Sequence, residues 1–193
     1  MNNLSSYALI TGGSSGIGYQ FARELAKKKY NLIIVSNEDL KNQEVCLTLS
    51  QEFHIQAIPF FIDLTGPESA EILFNFCIEQ QLDVDILINN AGMFFFKEIP
   101  DTSPEMVSKI LMLHIVTSTL LSTYFSNYMR KKKIGTYLIY FFHNGLDVLS
   151  RDFSLWCYQR VFKAICSFTA LRNERLSCKY KCCLSECHRY QFI

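Results

Sequence analysis

Apolar residues in this chain fall into two alternating kinds of stretch, short continuous runs and longer segments with a one-sided stripe. The continuous runs are Tyr7 to Thr11, Asn31 to Ser36, Gln56 to Ile62, Asp83 to Asn89 and Gly135 to Tyr140. Runs of this length predict strands, and Asn31 to Ser36 is of the continuous apolar kind buried on both faces in a parallel sheet. Pro59 is tolerable in the third run only near an edge or a strand start. Between them, Ile17 to Lys28 is amphipathic, Glu38 to Phe53 fits a helix loosely through Leu40, Val45, Leu47, Leu49 and Phe53, and Ser69 to Gln80 carries Ile72, Leu73, Phe76 and Cys77 on one stripe. Ser103 followed by Pro104 is helix-start chemistry. The helix it opens should run to about Lys131, with Val107, Ile110, Leu111, His114, Ile115, Ser118, Leu121 and Phe125 on one broad face. Strands alternating with helices predict a three-layer α/β sandwich around a parallel sheet.

The turn between the first strand and first helix carries the first chemistry. Glycines 12, 16 and 18 let the backbone turn tightly and approach a ligand with no Cβ in the way. The helix that follows aims unpaired N–H groups and the positive end of its dipole at the turn, so a pyrophosphate is the natural guest. Strand, glycine turn and helix in this order predict a dinucleotide site.

The spacing Thr-Gly-x-x-x-Gly-x-Gly at Thr11, Gly12, Gly16 and Gly18, with Asp63-Leu64 and Asn89-Asn90-Ala91-Gly92 further on, resembles the short-chain dehydrogenase/reductase family. The resemblance runs from about Tyr7 to Tyr140 and implies a Rossmann-like fold binding NAD or NADP. It implies cofactor contacts from Gly12, Ser14, Ser15, Gly16, Ile17 and Gly18 at the turn, Asp63 and Leu64 at the adenine, and Asn90, Ala91 and Gly92 near the nicotinamide ribose. Asn90 would also pin neighbouring strands through its amide. After the second strand stand Ser36 and Asn37 where an acid would select NAD, so the expectation leans to NADP with Asn37 as a contact. His114 occupies the position where the family usually has an asparagine that helps hold a proton-relay water; a packed core histidine is the alternative. The implied substrate is a small alcohol or ketone, and the long helix implies a homo-oligomer, weakened here.

Composition narrows the rest. A net charge of +1 gives no electrostatic footprint for nucleic acid, and Lys27 to Lys29 and Lys131 to Lys133 are short runs at helix ends, where cations suit the dipole. No continuous apolar run approaches the roughly 20 residues a membrane helix needs, and the first residues carry no secretory pattern, so a cytoplasmic protein is expected. Of eight cysteines, six lie between Cys157 and Cys187. The cluster from Cys178 to His188 lacks the Cys-x-x-Cys knuckle of structural zinc, and no metal is expected.

Beyond Tyr140 the family pattern breaks. Its catalytic serine would fall on Phe142, its tyrosine on Leu155 and its lysine on Gln159. The nearest replacement is Tyr158 with Lys163. A spacing of five sets two side chains about 140° apart around a helix, against about 40° for a spacing of four. Lys163 would then do little to lower the Tyr158 pKa, as the family chemistry requires. Reading codons one base later from Phe141 allows serine at 141 and 142, tyrosine at 155 and lysine at 159. Residues 1–193 are therefore expected to form one nucleotide-binding domain, family-like over 1–140. The aberrant tail of 141–193, a shifted-frame translation, should supply no further strands and leave the fold incomplete at its C-terminal end and the activity impaired.

Overall fold

The computed structural model describes residues 6–93 and 102–132, together with the backbone of strands at 136–140 and 179–183. Element order is β1 (Ser6–Thr11), α1 (Gly16–Lys27), β2 (Asn31–Ser36), α2 (Asp39–Phe53), β3 (Ala57–Phe61), α3 (Ser69–Glu79), β4 (Asp83–Asn89), α4 (Pro104–Leu111), a π-helical segment (Met112–Thr117), α5 (Ser118–Lys132), β5 (Thr136–Tyr140) and β6 (Lys179–Cys183). The strands form one sheet in the order β3-β2-β1-β4-β5-β6, and each neighbouring pair is parallel.

Every residue of β1 and β2 is buried, because helices cover the sheet from both sides. Alternation along the strands divides the core in two. Leu9, Ile33, Val35 and Leu87 pack with Leu73 and Cys77 of α3 and with Leu121, Phe125 and Met129 of α5. Ala8, Ile10, Leu32, Ile34 and Ile88 pack with Ala22 and Ala26 of α1 and Cys46 and Leu49 of α2. Small alanines on α1 bring that helix close to β1, which sets where its N-terminus lies.

Pro59 sits on the edge strand, β3. The ladder to β2 uses the Gln56 carbonyl and the Ile62 N–H, so the even-numbered residues face β2 and the missing N–H of Pro59 faces away. In α2 the loose pattern resolves plainly: Leu40 and Leu47 are 84% and 61% exposed, while Asn42 is fully buried. Its Nδ2 donates to the carbonyls of Ile34 at 2.9 Å and Phe60 at 3.2 Å, fastening α2 to β2 and β3 through an amide. Ile72, expected on the inner stripe of α3, is half exposed, and Ala70 takes its place in the core.

Two expectations need correction. A sixth strand, β6, lies within the tail that was expected to supply none, with Thr136↔Lys179 through Tyr140↔Cys183 in register. A parallel ladder is made by main-chain groups, which every extended segment carries whatever its side chains. The other is the absence of a membrane-length helix. Pro104–Lys132 is a continuous 29-residue helix long and apolar enough to cross a bilayer by length and composition, because its Ser and Thr residues interrupt the apolar run without making the helix polar. Here its inner face belongs to the core, through Ile110, Leu113, Leu121, Phe125 and Met129.

Candidate functional site

The strand order reverses between β1 and β4, and crossovers leave on opposite sides there, opening a crevice at the carboxyl ends of the strands. The turn after β1 lies in it. The Gly12 N–H donates to Val35 O at 2.8 Å, closing the turn onto β2, and Gly12 has φ +65°, which favours glycine. A Cβ on Gly12 would lie 2.9 Å from Ala91 Cα, so the turn is in backbone contact with the end of β4. At Gly18 a Cβ would overlap the Gly12 carbonyl and the Asn90 amide. Gly16 differs, with φ +54° and nothing within 4 Å of its would-be Cβ. Its glycine is demanded by conformation, and the space beside it is open.

Ser15 is the N-cap of α1 in extended conformation, φ −157° and ψ 170°, but its side chain does not cap the helix, and the first turn holds no acid. The leading N–H groups thus have no capping side chain, and Ser15, Gly16 and Ile17 are all exposed. Ser14 is buried instead. Its hydroxyl lies 2.8 Å from that of Ser36, which also accepts the Glu38 N–H at 3.1 Å. This pair ties the turn to the end of β2 and leaves Asn37, exposed, as the first side chain past β2 that faces solvent.

Asn90 pins the two halves together. Its Nδ2 donates to Thr11 O at 3.0 Å and Gly12 O at 3.1 Å. Thr11 answers from below, its Oγ1 accepting the N–H groups of Asn90 at 2.9 Å and Ala91 at 3.0 Å. The motif spacing places Thr11 at the head of the glycine turn but does not show this bonding role. Asn89 points the other way, donating to Ser122 Oγ at 3.0 Å on α5.

Asp63 is exposed, and its Oδ1 accepts both the N–H and the hydroxyl of Thr65, at 2.9 and 2.8 Å. That is an Asx turn, which aims the carboxylate at its own loop. Leu64 is buried, with its carbonyl bonded to Thr117 Oγ1 at 2.8 Å. His114, in the π segment, packs over Gly92, and its Nε2 lies 3.1 Å from Met93 N and 2.9 Å from Met93 O. Burial pushes the imidazole pKa below its ordinary value, and the Met93 backbone bond offsets part of that shift. The histidine is therefore a satisfied, half-buried group rather than a free one.

The structure thus gathers Gly12, Ser14, Ser15, Gly16, Ile17, Gly18, Asn90, Ala91 and Gly92 around β1 and β4, with Asn37 and Asp63-Leu64 at the ends of β2 and β3. Tyr158 and Lys163 lie outside the described residues, as do Phe142, Leu155 and Gln159. An anion fits this crevice: an uncapped helix N-terminus, an open glycine and no acid in the first turn are what a pyrophosphate would meet.

The sequence profile of the short chain dehydrogenase family matches residues 6–139. The chain is 30% identical to a putative steroid dehydrogenase 3 of Caenorhabditis elegans over 68% of its own length and 43% of that protein. It is 26% identical to a very-long-chain 3-oxoacyl-CoA reductase of Rattus norvegicus, over 59% of this chain and 37% of that one. The chain therefore spans about two-fifths of the length of these curated relatives. Among solved structures, a metagenomic short-chain oxidoreductase in complex with NADP superposes with a TM-score of 0.84 at 17% identity, covering 92% of this chain and 80% of that one. A bulky-bulky ketone specific alcohol dehydrogenase from Comamonas testosteroni superposes with a TM-score of 0.80 at 19% identity, covering 97% and 76%.

Proposed function

The chain belongs to the short chain dehydrogenase family, and on that premise we propose that the crevice at β1 and β4 binds a nicotinamide dinucleotide. The observation that carries the reading is the uncapped N-terminus of α1 beside the open Gly16. The N–H groups of Gly16, Ile17 and Gly18 would hold the pyrophosphate, with Ser15 at its side. Ala91 and Gly92 keep the end of β4 low enough for a ribose, and Leu64 supplies an apolar edge for a base. NADP is the favoured form, since Asn37 rather than an acid follows β2, and one superposable relative was solved with NADP. NAD is the second form.

When bound, the cofactor would supply hydride exchange with an alcohol or ketone, in keeping with relatives named as a steroid dehydrogenase and a 3-oxoacyl-CoA reductase. The chain's own contribution is to bind and orient. Proton exchange with the carbonyl oxygen falls to residues after Tyr140, where Phe142, Leu155 and Gln159 carry no suitable acid. Tyr158 with Lys163 is the remaining pair, at the unfavourable spacing of five. We infer an impaired reductase, with a dinucleotide-binding protein that turns nothing over as the second reading.

Titration of the purified chain with NADPH and NADH, followed by cofactor fluorescence, tests the first step. Failure of both to bind overturns the reading. A turnover assay with 3-oxoacyl and steroid ketones then divides the two forms of it. Binding without turnover supports the second, and slow turnover lost in Tyr158→Phe supports the first.

A further inference from the structure

Among the described residues, His114 hydrogen-bonds to Met93 through one atom, and that atom faces two chemically opposite partners. Nε2 is 3.1 Å from the Met93 N–H nitrogen, a donor, and 2.9 Å from the Met93 carbonyl oxygen, an acceptor. An imidazole nitrogen carries either a lone pair or a proton, so the ring makes one of these bonds at a time. With the proton on Nδ1, Nε2 accepts from Met93 N–H. With a proton on Nε2, in the other tautomer or in the imidazolium, it donates to Met93 C=O instead. An asparagine at this position could supply a carbonyl and an amino group together, and would not have to choose.

The surroundings make the choice consequential. A Cβ on Gly92 would lie 3.0 Å from His114 Cε1, so the ring is seated against the backbone that ends β4. The ring also hangs from the middle of the π segment, which Thr117 fixes to Leu64 at 2.8 Å. It therefore has little room to swing aside. Among the described residues, Glu105 and Lys109 on α4 pair with one another at 2.7 Å, and Asp63, after β3, is turned to Thr65; none of the three is among the groups that act on the ring. Burial and the Met93 backbone are what move the ring's own equilibrium.

We propose that His114 is a proton-operated latch on the Met93 backbone: neutral with its proton on Nδ1, it holds the Met93 N–H, and on protonation of Nε2 it releases that N–H and takes the carbonyl. The latch regulates the cofactor site and, for its effect on binding, rests on the dinucleotide reading above. His114 is a positioning residue, since it acts on the cofactor edge through Met93 and Gly92. Release of the N–H reorients the peptide that follows Gly92, so acid should loosen cofactor binding.

The test compares the wild-type chain with His114→Asn, which can keep both backbone bonds at every pH. NADPH affinity is measured from about pH 8 to about pH 5, a span that brackets the ordinary histidine pKa. The cofactor phosphate titrates equally in both proteins, so it cancels in their ratio. The wild type should lose roughly two- to tenfold more affinity than His114→Asn across that span, the value of one hydrogen bond. Equal pH slopes in the two proteins overturn the proposal. Nitrogen-15 NMR of the histidine side chains in the free protein gives an independent readout, with the His114 signal assigned by its absence in the variant. Nε2 should gain a proton as the pH falls, with slowed exchange of the Met93 amide at high pH only; an Nε2 that keeps one state throughout overturns the latch. Because this second readout needs no cofactor, failure of NADPH to bind would count against the dinucleotide reading alone.

Discussion

Gly18 on α1 and Asn90 at the end of β4 lie so close that a single methyl group cannot be added between them: a Cβ at Gly18 would overlap both the Asn90 amide and the Gly12 carbonyl. The helix N-terminus is therefore held at the sheet's switch point by contact as well as by hydrogen bonds. Gly18→Ala should cost about 1–3 kcal/mol through overpacking, because one obstacle is backbone and cannot step aside. Gly16→Ala meets open space and should cost only the left-handed conformation, about 1–2 kcal/mol. Thermal melts should rank Gly18→Ala at or below Gly16→Ala. A Gly16→Ala variant that melts well below Gly18→Ala would contradict the packing described here.

Asn90→Ala removes the amide that bonds Thr11 O and Gly12 O. Two partly buried carbonyls lose a partner, at about 1–3 kcal/mol each where water cannot replace it. Denaturant unfolding should show a lower midpoint, and NADPH affinity should fall with it. An unchanged midpoint would mean that the pin contributes nothing.

Ser14→Ala breaks the buried contact to Ser36 and should cost about 1 kcal/mol. Ser15→Ala, at an exposed hydroxyl that caps nothing, should leave the melting temperature in place. Comparing the two by calorimetry checks whether the turn is fastened by the first serine rather than the second.

The pH dependence of folding follows from His114. Its pKa is lowered in the folded chain, so the unfolded chain binds more protons once the pH drops towards the ordinary histidine value of about 6.5. The associated stability is fully present above that value and declines as the pH falls through the lowered one. His114→Asn should flatten this part of the stability curve, measured by urea unfolding at a series of pH values. A wild-type curve rising with acidity over that range would reverse the sign and refute the assignment.

Cys46 and Cys77 are buried, and burial pushes both thiols up to about 12. With almost no thiolate near neutral pH, both should resist alkylation in the native protein and react on unfolding. Mass-spectrometric mapping after a brief iodoacetamide pulse checks this, and rapid native labelling of either would show that α2 or α3 opens readily.

Much of the fold was legible because β1 and β2 are buried on both faces and the second half of β4 nearly so: the runs ending at Thr11, Ser36 and Asn89 could be little else. The phosphate-side geometry was legible too, since Gly12, Gly16 and Gly18 stand where only glycine fits. What escaped has physical causes. The faces of α2 and α3 depend on which neighbours cover them, so Leu40, Leu47 and Ile72 were expected inside and lie outside, while a fully buried Asn42 holds two strand carbonyls. The pattern along the long helix was read at 3.6 residues per turn, and the wider π turn moved the inner stripe to Leu113 and Thr117. Thr11, Ser36 and Thr117 act through hydroxyls whose partners are distant in sequence. The strand β6 pairs through its backbone, which side-chain patterning does not advertise.

The π segment at Met112–Thr117 also fixes a phase between the two ends of the long helix. It takes up one more residue than an α turn would, so losing one residue there restores ordinary α pitch with the phase kept, whereas losing one from α5 just after it would rotate everything downstream by about 100°. Leu121, Phe125 and Met129 would leave the sheet together, and polar neighbours would turn inward. A shortened loop would merely tighten a connection; the same edit in α5 would unscrew half the molecule from the other half.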